Sequence, residues 1–349
     1  MTATGFAFDM LGTLRLGLAL AVMLSHFPEA RLRFNIGVMA VVCFYIISGY
    51  LMQKSYARFR AHGRRPVRGF YRDRLLRLMP LYLLVLGLSL VSLWLWQVPP
   101  WLVLLAQEPE LLSVLLNALL LPANYVFAPL EIPALLPHPL IPPAWSLAAE
   151  MHFYLLVPAL VALRPGWLAV LGLMSLAFQV AAVSIDTPSF GADAFGYRYL
   201  PGVLVFFILG LLLARGARGL ALGLWGAFAV LFLVAAPAYG LLGRGYAQEQ
   251  WLAVLIFVPV LVWILGAQGP ARSALDRVLG ELAYPVFITH FLVFLWVGQW
   301  LDVEQPLFWP TSLAAVLLLS LLLSQVQRLF ERRRIALRGF ASLRGGGLS

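Results

Sequence analysis

Ten stretches of this chain are apolar for long enough to cross about 30 Å of hydrocarbon, and that repetition leaves room for little but a bundle of membrane-spanning helices. Their approximate limits are residues 10 to 27, 34 to 52, 74 to 97, 144 to 163, 167 to 184, 200 to 215, 219 to 242, 250 to 267, 282 to 301 and 307 to 330. Composition agrees. The chain is 62% hydrophobic and 11% charged, whereas a soluble domain carries roughly a quarter of its residues as charges. The expected fold is all-α, with about ten transmembrane helices. The chain ends soon after the last span, so residues 1–349 read as a single membrane domain with no attached soluble domain. Residues 101 to 121 are apolar but broken by Gln107, Glu108, Pro109 and Glu110, and read as interfacial helices within a long loop.

A net charge of +10 would suggest a nucleic-acid partner in a soluble chain. In a membrane protein it first sets orientation, and no nucleic acid is expected. Lys54, Arg58, Arg60, Arg64, Arg65, Arg68, Arg72, Arg74 and Arg77 lie in one short segment between the second and third spans. Placing that segment in the cytoplasm puts Arg164, Arg215, Arg218, Arg272, Arg277 and the six C-terminal arginines from Arg328 to Arg344 on the same side, 20 of the 25 basic residues. Both termini are then cytoplasmic. Only Arg31, Arg33, Arg198 and Arg244, with nine acids, occupy the opposite loops. The first nine residues hold no Lys or Arg, so the first span reads as retained rather than as a signal peptide. A lone Cys43 excludes an internal disulfide, and five histidines without ligand spacing make a metal site unexpected.

Ionisable groups inside hydrocarbon cost several kcal/mol unless paired or hydrated, so the few present mark candidate function. Arg15 and His26 are eleven residues apart, about three turns, which puts both on one face of the first helix some 16 Å apart along its axis. They read as a functional pair, or as an interfacial anchor and a packing histidine. In the segment from Pro143 to Tyr154, a spacing of four aligns Ser146, Glu150 and Tyr154 on one face. Glu150 is the acid lying well inside a span, and it needs a partner: His26 at similar depth, or an arginine. It serves chemistry or clamps helices. Arg74 and Arg77 share a face where the third span begins. Inward guanidinium groups suit the phosphates of an anionic donor, and outward ones an anionic lipid. His290 lies mid-membrane beside Thr289, where it lines a cavity or is a satisfied core histidine. His62, His138 and His152 have no evident partner.

The order of these elements resembles the integral-membrane acyltransferase 3 family of bacterial O-acyltransferases. Arg15 to His26 resembles the family's Arg, ten residues, His pattern. Gly37-Val38 and Phe44 to Tyr50, with Ser48-Gly49, resemble its Gly-Val to Ser-Gly-Phe element. Arg74 to Pro80 resembles the arginine-rich start of its third helix, Trp145 to Tyr154 its Trp-Ser-Leu, Glu, Phe-Tyr motif, and Gly280 to His290 its late Gly, Ser-Tyr, His segment. Met39 and Asp73 stand where members often carry Asp and a paired arginine, and Ala283 replaces the usual Ser before Tyr284.

The resemblance implies transfer of an acyl group, foremost acetyl, from cytoplasmic acyl-CoA to a hydroxyl of a sugar or glycan at the outer side of a bacterial inner membrane. His26 is expected to be the general base, oriented or stabilised by Glu150. Arg72, Arg74 and Arg77 are expected to hold the donor's phosphates, with Arg15 along the pantetheine route. Ser48, Trp145, Ser146, Tyr154, Tyr284 and His290 are expected to line the cavity. A two-step route through an acyl-histidine fits the same residues. The competing class is a transporter or lipid-linked sugar handler without acyl chemistry. The proline-rich loop from about residue 98 to 143, with Glu108, Glu110 and Glu131, is expected to help choose the acceptor.

Overall fold

The computed structural model describes residues 10–27, 33–62, 65–106, 108–127, 138–266 and 274–343, with side chains of the last helix described as far as Phe330. Arg31, Arg64, Glu131, Arg272, Arg344 and the side chains of His62, Arg332, Arg333, Arg334 and Arg338 lie outside the described residues. Among the described residues helices make up the architecture, and the β content is one isolated bridge between Thr187 and Phe190.

In chain order the helices are α1 (Leu11–Ser25), α2 (Ile36–His62), α3 (Pro66–Leu95), the short α4 (Leu111–Leu119), α5 (Ala144–Ala162), α6 (Pro165–Ile185) and α7 (Leu200–Ala214). α8 (Arg218–Val230) runs through a π turn, Leu231–Ala235, into the single turn α9 (Ala236–Tyr239), and α10 (Ala247–Gly266), α11 (Ala274–Val297) and α12 (Phe308–Leu343) follow. Among the described residues nine helical segments are long and apolar enough to cross a membrane. α1 is the tenth expected span; its 15 residues reach about 22 Å. Residues 101–121 do not span. They divide into a 3-10 turn, Val103–Leu105, and the nine-residue α4, which reaches only about 14 Å.

Several helices outrun the apolar stretches that announce them. α2 continues to His62, α3 begins at Pro66, α11 begins at Ala274, and α12 reaches Leu343. Arginine, lysine, glutamate and alanine are good helix formers, and only the lipid-embedded part of a helix has to be apolar. Pro66 occupies the first turn of α3, where its missing N–H is no loss.

The bundle has a centre and a rim. Of the membrane-length stretch of α2, 72% is buried, against 22% for α12. α2 packs chiefly on α7, and α1 on α11. Glycines permit the second contact: a β-carbon on Gly280 would stand 2.9 Å from the α-carbon of Gly12. The rim carries exposed Leu222, Leu233, Trp263, Leu318 and Leu322, the surface that hydrocarbon covers. The N-termini of α1 and α11 lie with the C-terminal halves of α2 and α12 at one end, rich in arginine.

Candidate active site

A cavity of about 420 Å³ runs inward from this basic end between α1, α2, α3, α5, α11 and α12. It brings together Arg15, Ser48, Arg74, Arg77, Ser146, Glu150, Tyr154 and Tyr284, eight of the residues expected at the site. Tyr45, Arg58, Asp276, Arg277 and Gln327 also line it.

Glu150 is the hub of the inner part. Its Oε1 accepts hydrogen bonds from Ser48 Oγ on α2 and from Tyr154 Oη, 2.7 Å away and one turn along α5. Both donors are hydroxyls and the acceptor is a carboxylate, so the three form a charge-assisted set that holds α5 to α2. Of the two partners expected for Glu150, His26 is not hydrogen-bonded to it: His26 Nδ1 turns to the Val22 carbonyl of its own helix, and Glu150 Oε1 takes Ser48 and Tyr154. Two other hydroxyls are used up on backbone. Ser146 Oγ donates to the Pro143 carbonyl (3.0 Å), and Tyr284 Oη to the Leu78 carbonyl (2.9 Å).

The arginines fall into distinct groups. Arg74 is buried, its guanidinium paired with Asp73, in contact with Met52 Sδ at 3.6 Å and over the Phe70 ring. Asp73, the residue standing where an arginine was expected, thus neutralises its neighbour. Arg77 is half-buried and lines the cavity. Arg72 is the correction. Two residues from Arg74 is about 200° around a helix, so Arg72 is exposed on the far side of α3, where it lines an outward groove with Arg65, Arg68, Tyr71, Leu75 and Leu76. It is not brought to the cavity.

Asp276, unexpected from the sequence, caps α1 from another helix. Its Oδ2 accepts from Gly12 N (2.9 Å) and its Oδ1 from Thr13 N (2.7 Å) and Thr13 Oγ1 (2.9 Å). A carboxylate at a helix N-terminus satisfies donors that the helix leaves free. Arg15 lies one turn further along and lines the cavity beside Asp276.

His26 sits at the other end of α1, beyond the cavity. The cavity's lining on this side includes Phe44 and Phe287, whose ring centroids are 6.0 Å apart. The Phe287 ring is 6.5 Å from that of His290, and the His290 ring 5.3 Å from that of His26. His26 Nδ1 lies 2.8 Å from the Val22 carbonyl. A carbonyl can only accept, so Nδ1 carries the proton and the neutral ring keeps a lone pair on Nε2, the state a general base requires. The backbone of α1 thus fixes the tautomer, the task assigned from sequence to Glu150.

Trp145 and His290 do not line the cavity. Trp145 lies under the Arg198 guanidinium at 4.5 Å and against Tyr197 at 5.0 Å, while Arg198 pairs with Asp193. This places it in an aromatic and charged cluster near the end opposite the arginines. His152, without an evident partner in the sequence, meets the Tyr125 hydroxyl through Nε2 at 3.0 Å. Among the described residues no group of three or more His, Cys, Asp or Glu could hold a metal ion.

Of the lining residues missed, Asp276 was legible as an acid in the first turn of a helix that begins before its apolar run, and Arg58 stood in the sequence only as one of many topological charges. Tyr45 stood in the Phe44 to Tyr50 segment that resembles the family's Ser-Gly-Phe element, with nothing to single it out there.

Comparison with known proteins agrees with the geometry. Residues 10–325 match the sequence pattern of a family described as an acyltransferase domain. An uncharacterized protein of Aquifex aeolicus (strain VF5) is 28% identical over 198 residues, covering 53% of this chain and 80% of its own length. The exopolysaccharide production protein ExoZ of Rhizobium meliloti (strain 1021) is 27% identical over 279 residues, covering 77% of this chain and 80% of its own. No solved structure matches.

Proposed function

The chain belongs to this acyltransferase family, and from that premise we propose that it moves an acyl group, foremost acetyl, from cytoplasmic acyl-CoA to a hydroxyl of a glycan on the outer side of a bacterial inner membrane. The observation that carries the reading is one cavity extending from arginines of the basic end to the carboxylate of Glu150. The name of the Rhizobium relative, an exopolysaccharide production protein, supports a polysaccharide acceptor.

In this reading the basic end faces the cytoplasm, as the concentration of arginines there favours. Arg77, Arg15 and Arg58 attract the donor's phosphates, Arg77 and Arg15 from half-buried positions. The pantetheine arm lies along the cavity toward Phe44 and Phe287. His26 Nε2 takes the proton of the acceptor hydroxyl as its oxygen attacks the thioester carbonyl. The carbon–sulfur bond then breaks, and the thiolate takes the proton back from the imidazolium, leaving an ester and free CoA. Glu150 acts as a positioning residue, fixing Ser48 and Tyr154 along the donor route.

The experiment is transfer of label from radioactive acetyl-CoA to surface glycan extracted from a strain lacking the gene, with purified protein in detergent. Labelled glycan is expected with the wild-type protein and at least 100-fold less with His26→Ala, a loss on the scale of one general base. Full activity in a folded His26→Ala protein would remove the histidine from the mechanism. Trapped acyl-protein that disappears in the same variant would favour the two-step route.

A further inference from the structure

His290 lies in the middle of the bundle on α11 and is wholly buried. Its Nδ1 is 3.3 Å from the Val286 carbonyl, which can only accept, so Nδ1 holds the ring proton and Nε2 is an acceptor. That Nε2 is buried and meets no donor among the described residues. A satisfied core histidine would have one, and an apolar side chain would fill the same space without leaving an acceptor unmade.

The neighbour makes this acceptor informative. His26 is in the same tautomer, its Nδ1 given to Val22, with its ring centroid 5.3 Å from that of His290. Phe291 packs on both rings at 4.9 Å, and Phe294 stands 5.7 Å from His290. Two imidazoles thus offer like lone pairs within an apolar wall, and neither can serve the other without a proton from outside. One hydroxyl has one proton to give, and in the transfer reaction it goes to His26. A second acceptor beside the first suits a substrate with more than one hydroxyl.

We infer that His290 binds the acceptor: its Nε2 receives a second O–H of the polyhydroxylated molecule whose reacting hydroxyl faces His26. This rests on the acyl-transfer reading, which it deepens by giving the acceptor a contact and a chemistry.

The test compares wild-type protein, His290→Phe and His290→Gln for thermal unfolding in detergent and for kinetics with labelled acetyl-CoA and extracted surface glycan. His290→Phe is expected to unfold at the wild-type temperature or higher, with KM for glycan raised tenfold or more and KM for acetyl-CoA within twofold. His290→Gln, which keeps an accepting oxygen, is expected to recover part of the glycan affinity. An unchanged KM for glycan in His290→Phe overturns the role, as does a lowered melting temperature with both constants worsened alike. Should His290→Phe not fold, His290→Leu against His290→Gln supplies the same contrast, with equal KM for glycan in the two overturning the role. No transfer by the wild-type protein overturns the acyl-transfer reading and this role with it.

Discussion

Gly49 of α2 and Gly210 of α7 meet backbone to backbone. A β-carbon on Gly49 would stand 2.0 Å from the Phe207 carbonyl oxygen, and one on Gly210 2.0 Å from that of Ile46. The partners are backbone atoms of central helices, which cannot swing aside as a side chain can. Ser48 is the next residue, so the same approach sets its hydroxyl on Glu150. Gly49→Ala and Gly210→Ala are expected to cost about 1–3 kcal/mol, the usual penalty of overpacking. Unfolding in detergent measures the cost, and a Gly49→Ala protein of wild-type stability would contradict the packing described.

Asp276 joins α1 to α11 through three hydrogen bonds to Gly12 and Thr13. Asp276→Ala removes all three and the negative charge at the helix N-terminus, for an expected loss of about 1–2 kcal/mol. Because Arg15 lies one turn beyond that cap, KM for acyl-CoA should rise as well. Asp276→Asn keeps one accepting oxygen and should fall between the two. Unaltered stability in Asp276→Ala would mean that water replaces the carboxylate at no cost.

Arg72, Arg74 and Arg77 are three neighbours with three different surroundings, so their substitutions should separate. Arg72→Gln, on the outward groove, should leave KM for acyl-CoA within about twofold. Arg77→Gln, in the cavity, should raise it about tenfold, the equivalent of 1.4 kcal/mol. Arg74→Gln leaves Asp73 buried without its guanidinium, and loss of one partner from such a pair costs about 3–5 kcal/mol. The last should show in protein yield and melting temperature before it shows in kinetics. Equal effects of Arg72→Gln and Arg77→Gln on KM would place both on the donor.

The membrane class, the ten apolar segments and eight of the cavity residues were legible because each has a one-dimensional signature: apolar length, a charge inside it, or a four-residue spacing such as Ser146, Glu150 and Tyr154. Arg72 was misplaced because proximity in sequence stood in for direction, although 100° per residue separates it from Arg74. The sequence offered His26 or an arginine as the partner of Glu150 and could not choose, because depth in the membrane says nothing of azimuth. His26 faces α11 and Glu150 faces α2. The backbone carbonyl that sets the His26 tautomer belongs to the preceding turn of its own helix, a partner that every helical histidine has within reach and that no pattern of side chains reveals. Asp276 caps a helix more than 260 residues away in sequence, and such pairings are decided by packing alone.

Glu150→Gln tests the hub without changing its size. Gln keeps one oxygen for Ser48 and Tyr154 but brings two N–H donors and no charge. Charge-assisted hydrogen bonds are about twice as strong as neutral ones, so stability should fall by about 1–3 kcal/mol, the scale of losing bonds to a charged group. If Glu150 only positions the donor, activity should fall with KM for acyl-CoA while the rate at saturation changes little. A large fall in kcat at unchanged KM would show instead that the carboxylate acts on the reacting groups.

Phe287 stands between the cavity and the two histidines: it lines the one and packs 6.5 Å from His290 in the other. In the transfer reading the thioester arriving from the basic end comes to rest against this ring and that of Phe44, which limit the water that can share the space between thioester and base. Phe287→Ala opens that wall at a stability cost of about 3–5 kcal/mol, and Phe287→Leu at a smaller one. With the wall thinned, acyl-CoA should be hydrolysed faster when no acceptor is present, while the fraction of acyl groups reaching glycan falls. Release of free CoA without acceptor measures the first, and labelled glycan per CoA released measures the second. A Phe287→Leu protein that keeps the wild-type ratio would mean that water already reaches His26 by another path, through the half-exposed side of the ring rather than through the cavity.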